Sequence, residues 1–127
     1  YDMGIMNGEW AFYYTNGIKE KEGTLLNGNA HGLWKFWDEE ARKAQEGAFE
    51  NGIKNGKWIA WLEDGHITEG HYKNGKKDAM WTSWWDTEKN RKEMRGNYKD
   101  GKMVDKWFFY DKKGNLKEIR YFSPTFK

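Results

Sequence analysis

The chain has 127 residues, with 22 Lys/Arg against 20 Asp/Glu, a net charge of +2 and no cysteine. That length holds about one domain. The interleaved charges form no block of the kind a nucleic-acid or membrane tail carries, and disulfides and thiolate metal sites are excluded. Leu, Ile, Val and Phe number only 19 of 127 residues, which taken alone points to disorder. Against that stand 23 aromatic residues, nine of them Trp. Disordered chains are poor in aromatics, so this chain is expected to bury aromatic faces in place of an aliphatic core. No run of about 20 apolar residues is present to cross a bilayer as a helix.

Trp10, Trp34, Trp58, Trp81 and Trp107 recur every 23 to 26 residues. Such a period marks an array of small units, none of which buries a core alone. The predicted organisation is a single repeat array over residues 1–127, with hairpins at about 4–27, 28–51, 52–74, 75–100 and 101–127. The predicted fold is all-β: tandem β-hairpins forming one continuous, twisted, antiparallel, single-layer sheet of about ten strands.

In the first unit Tyr1 precedes Trp10 by nine residues, the slot that Leu25, Phe49, Tyr72 and Tyr98 fill later. The chain thus opens in mid-strand without an initiator Met, which suits absent upstream repeats or a removed N-terminal segment. Asn16-Gly17 carries the signature of a two-residue type I′ turn, and counting back from it pairs Tyr14 with Lys19 and Trp10 with Gly23. The second tip, at 39–42, sets Trp34 against Gly47. In the third, Glu63-Asp64-Gly65 forms a three-residue loop that sets Trp58 against Gly70. The fourth tip, at 87–90, sets Trp81 against Gly96. In the fifth, Lys113-Gly114 sets Trp107 against Arg120, and Pro124 follows as a strand end.

A glycine inside a strand weakens it, and an indole laid over the facing glycine covers the bare backbone. Gly23, Gly47, Gly70 and Gly96 are read as such partners. In the fifth unit the Arg120 guanidinium is expected on the Trp107 face, as a C-terminal cap. Six-residue loops at 27–32, 51–56, 74–79 and 100–105 are expected to join the hairpins. They would place Leu25, Phe49, Tyr72 and Tyr98 opposite Trp34, Trp58, Trp81 and Trp107.

The phrases Asn27-Gly28-Asn29-Ala30-His31-Gly32-Leu33-Trp34 and Asn51-Gly52-Ile53-Lys54-Asn55-Gly56-Lys57-Trp58 resemble the bacterial variant of the MORN repeat, found in YwqK-like antitoxin component repeat proteins. The resemblance covers nearly all of the chain. It implies β-hairpin arrays used for protein association, and includes antitoxin or immunity proteins that bind a toxin. Related eukaryotic arrays are tied to membranes. Units four and five depart from the phrase with Ala79 and Asp105 in place of the glycine, so their loops are expected to differ.

No catalytic constellation is legible, and neither a cofactor nor a metal is expected. His31 takes a turn position. His66 and His71, five apart, fall on opposite faces of a regular strand. The remaining candidate is a second aromatic ladder, three residues after each tryptophan: Tyr13, Trp37, Trp61, Trp84 and Tyr110, joined by Trp85. Its odd offset puts it on the opposite face. Two readings stay open, a second small core covered by Lys and Glu stems or an exposed strip that binds a partner, with Trp84 and Trp85 at its centre.

The expected function is a non-enzymatic protein–protein interaction or assembly module, acting through an aromatic sheet face or an open sheet edge. Self-association through the edges is one form of it. The alternative is cell-surface binding of choline or a glycan in aromatic cages. Anionic lipid binding through Lys76-Lys77 and Lys112-Lys113 ranks below both, and nucleic acid is not expected as a partner. An exported or cell-envelope setting is compatible with the composition, as is the cytoplasm.

Overall fold

Short aromatic runs between turn residues fold into ten strands: β1 Gly8–Tyr13, β2 Lys19–Leu26, β3 Asn29–Trp37, β4 Lys43–Glu50, β5 Ile53–Trp61, β6 Ile67–Lys73, β7 Lys76–Trp84, β8 Lys92–Lys99, β9 Lys102–Tyr110 and β10 Leu116–Phe122. The computed structural model describes residues 7–62, 64–86 and 88–122. Expectations for Tyr1, Glu63, Thr87 and Pro124 fall outside them. Each strand pairs antiparallel with the next, giving one open sheet in the order β1 to β10.

Within the hairpins the expected register holds. Trp10 pairs with Gly23, Trp34 with Gly47, Trp58 with Gly70, Trp81 with Gly96 and Trp107 with Arg120. The tips are built differently from the two-residue turns expected at Asn16-Gly17 and Lys113-Gly114. Tyr14 N–H donates to Ile18 O at 2.9 Å and Asp111 N–H to Asn115 O at 2.9 Å, so each tip is a three-residue loop. A bulge then restores the register, because Glu20 and Lys117 lack cross-strand partners. Ala44 and Glu93 do the same in hairpins two and four, whereas hairpin three has its expected three-residue loop and no bulge.

The six-residue loops between hairpins are not formed. Leu26 pairs with Asn29, Glu50 with Ile53, Lys73 with Lys76 and Lys99 with Lys102, leaving two-residue turns at 27–28, 51–52, 74–75 and 100–101. Both residues of each have positive φ, as at Asn27 (54°) and Gly28 (84°), the requirement of a type I′ turn. Beyond the turn a two-residue bulge in β3 lies between the pairs Thr24–His31 and Glu22–Lys35. It brings Trp34 beside Gly23 in place of the expected Leu25. The same bulge recurs in β5, where Gly47 pairs with Trp58. Each internal tryptophan therefore stands between two glycines.

The ring is laid over the second of these. A Cβ on Gly23 would overlap the Trp34 indole, and the same holds for Gly47 with Trp58, Gly70 with Trp81 and Gly96 with Trp107. The expectation that Trp10 covers Gly23, and so on within each hairpin, is thus corrected: the cover comes from the following hairpin. The indole N–H fixes the ring there, donating from Trp34 to Thr24 O, Trp58 to Ala48 O, Trp81 to His71 O and Trp107 to Asn97 O at 2.8–3.1 Å. The four rings are only 2–5% exposed, although the described residues form no second layer over them. Phe49, Tyr72 and Tyr98 stand edge-on to Trp58, Trp81 and Trp107 at 5.1–5.2 Å. This is the first face of the sheet.

Candidate functional site

The second face carries the ladder three residues past each tryptophan. Tyr13 is 59% exposed, while Trp37, Trp61, Trp84 and Tyr110 are half-buried. Lys19 lies over Trp37 at 5.5 Å, Lys43 over Trp61 at 5.3 Å and Lys89 over Trp84 at 5.3 Å. Ile67 pairs with both Trp61 and Trp84 and is 1% exposed. The middle of the ladder therefore closes over Ile67 as a small core, with lysine stems as its lid. Trp85 does not extend the ladder. It packs edge-on against His66 at 5.1 Å, and its buried indole N–H has no acceptor among the described residues.

Toward the C-terminal end the second face opens. Met80, Ile119 and Tyr121 are 44%, 45% and 66% exposed. Phe108 pairs with Ile119, and Lys106 with Tyr121. Arg95 stacks its guanidinium on Phe108 at 4.4 Å and donates from Nε to the Tyr110 hydroxyl at 2.9 Å. Met80, Arg95, Lys106, Phe108 and Tyr121 border a shallow concavity of about 590 Å³ that also takes in Asn97. The sequence reading missed it, because Met80 and Phe108 sit one position from the first ladder and Tyr121 lies on β10, which carries no ladder residue. The signal was present: an apolar residue flanks the tryptophan in every unit, at Ala11, Leu33, Ile59, Met80 and Phe108.

On the first face two aromatic corners are already filled by the chain's own cations. Lys54 lies 4.5 Å from the Trp58 ring and 4.8 Å from Tyr72, and Lys77 lies 4.8 Å from Trp81 and 5.1 Å from Tyr98. Burial, then the Lys77 charge, lowers the Lys54 pKa from its ordinary value. Burial raises the Tyr72 hydroxyl, and burial followed by Tyr72 raises Tyr98. Arg120 does not lie on Trp107 as expected. Its guanidinium covers Phe109 at 5.0 Å and pairs with Glu118, because the bulge at Lys117 brings Glu118 alongside Phe109.

His31 and His71 are exposed on β3 and β6. His66 belongs to a tip and not to a strand, where Nδ1 is 3.1 Å from Asp64. Among the described residues no cluster of three metal-ligating side chains forms. Ala79 (φ 62°) and Asp105 (φ 63°) adopt the left-handed conformation of Gly32 (73°) and Gly56 (96°), so the loops of units four and five match the others. In comparisons with known proteins, no family model matches the chain and no curated protein matches it.

Proposed function

We propose that the chain is a non-enzymatic protein-association module that docks a partner on the second face of its sheet, over units four and five. The observation that carries this reading is that exposed Met80 and Tyr121 and half-buried Phe108 line one concavity, with exposed Ile119 paired to Phe108 beside it. Half-buried aromatics beside an arginine, rimmed by polar residues, match the composition of association hot spots. The likeness to bacterial MORN-type arrays, in which association is the implied role, supports the same reading. So does the occupation of two first-face corners by Lys54 and Lys77, whose charges already lie over the rings a quaternary-ammonium ligand would use and repel a second cation there.

Affinity capture with chemical cross-linking tests the proposal. A partner retained by the wild-type chain should be lost with Tyr121→Glu or Met80→Asp and kept with Tyr13→Glu, a comparably exposed site on the same face at the other end. A partner indifferent to Tyr121 and Met80 would refute the docking surface.

A further inference from the structure

Two residues past the tryptophans the units carry Phe12, Phe36, Ala60, Ser83 and Phe109. On the first face, the phenyl group at this position lies against the next unit's indole. Phe12 stacks on Trp34 at 6.4 Å and 28°, and Phe36 meets Trp58 at 6.1 Å and 33°. Unit three has only the methyl group of Ala60, so Trp81 lacks the ring that Trp34 and Trp58 receive. Gln45 and Thr68, which pair with Ala60 on either side, do not replace it. Ser83, the next in line, is tied to Thr68 by a 2.7 Å hydrogen bond and is buried.

A cavity of about 280 Å³ lies there, walled by Trp58, Tyr72 and Trp81 and bordered by Gln45, Thr68 and Lys77. An apolar cavity of about 150 Å³ is enough to hold benzene, so this one has room for a phenyl ring with a short polar chain. The charge at its wall is positive. Among the described residues no ion pair involves Lys77 or its neighbour Lys54. Each of these ammonium groups already lies over two aromatic rings, and an anion brought beside them completes the pair.

We propose that this cavity binds an aromatic carboxylate, the ring taking the place that Phe12 and Phe36 occupy in the first two units and the carboxylate meeting Lys77. The same chemistry is offered by a free aryl-alkanoic acid and by the C-terminal phenylalanine of a polypeptide. The site lies on the face opposite the proposed docking surface and does not depend on it.

Titration of the full chain with 3-phenylpropionate, followed through the tryptophan indole N–H resonances by NMR, tests the site. The expected result is a saturable shift of Trp58 and Trp81 at about millimolar ligand, with Trp10 unmoved. The neutral 3-phenylpropionamide should bind about tenfold or more weakly, since a charge-assisted hydrogen bond is lost. Ala60→Phe fills the cavity from within and should abolish the shift while the indole spectrum stays dispersed. Lys77→Met should weaken binding by a similar tenfold, and serves should the phenylalanine variant not fold. No saturable shift, equal binding of acid and amide, or full affinity in Lys77→Met or folded Ala60→Phe would overturn the proposal. A peptide ending in free phenylalanine, compared with its amide and with 3-phenylpropionate, tells a polypeptide terminus from a free acid by which carboxylate binds more tightly.

Discussion

Glycine at positions 23, 47, 70 and 96 is required because an indole occupies the volume of its missing side chain. Gly47→Ala should therefore displace the Trp58 ring and destabilise the sheet by about 1–3 kcal/mol, the usual cost of overpacking, with a matching loss in chemical denaturation. The opposite holds two residues before the tryptophan. Ala79 carries a left-handed conformation at φ 62°, which costs a non-glycine residue about 1–2 kcal/mol, partly offset by the extra entropy glycine loses on folding. Ala79→Gly should raise stability by about 0.5–1 kcal/mol in the same assay. Asp105→Gly should gain less, because aspartate tolerates this region better.

Two of the tip loops are each held by a single carboxylate. Asp38 Oδ1 accepts from the backbone N–H of both Glu40 and Arg42 at 2.9 Å, and Asp111 Oδ1 does the same for Lys113 and Asn115 at 2.9 and 3.0 Å. The Arg42 N–H chiefly, with Glu40, holds Asp38 below the ordinary carboxylate range, and the Asn115 N–H chiefly does so for Asp111. A carboxylate lowered on folding contributes stability that is complete above its unfolded value of about 3.9. That contribution is lost as pH falls through the lower folded value. Melting temperature should therefore hold between neutrality and about pH 5 and drop below about pH 4. Asp38→Asn together with Asp111→Asn should flatten the drop, since the amide still accepts a hydrogen bond but no longer titrates.

Much of this element-level structure was legible. Counting from the first and fifth tips gives Trp10–Gly23 and Trp107–Arg120 correctly, because the one-residue error in tip length is cancelled by a one-residue bulge before the tryptophan is reached. What was not legible is which Asn-Gly makes which turn. Asn27-Gly28 is a two-residue turn with both φ positive, whereas in Thr15-Asn16-Gly17 only Gly17 has positive φ and the Asn16 side chain accepts from the Ile18 N–H at 3.0 Å. Local dipeptides do not separate these cases. At the second and fifth tips the aspartate four residues before the loop's close, Asp38 to Arg42 and Asp111 to Asn115, was an available signal; the first tip has Tyr14 there and offered none. Of the candidate site, the second ladder could be located from the count of three alone. Its burial could not, since that rests on Ile67, a residue outside the repeated phrase.

At the scale of the molecule, the sheet owes its order to rows that run across the strands. The two aromatic rows differ in how completely they are shut. Trp58 is 2% exposed with its ring on Gly47, while Trp84 is half-buried under Lys89. Trp58→Ala should cost about 3 kcal/mol or more, and Trp84→Ala clearly less, as compared by urea unfolding. Equal losses at the two sites would make the rows energetically equivalent. Because neighbours interact only through such contacts, stability is expected to be a sum of units and junctions.

Each of the first four hairpins holds the socket for an indole that its successor supplies, as Gly47 on β4 receives Trp58 from β5. Plug and socket thus belong to different modules, and units two to four carry one of each. Excising one complete internal module leaves a plug facing a vacant socket of the same shape, so the array can shorten or lengthen by whole units without redesigning a single junction.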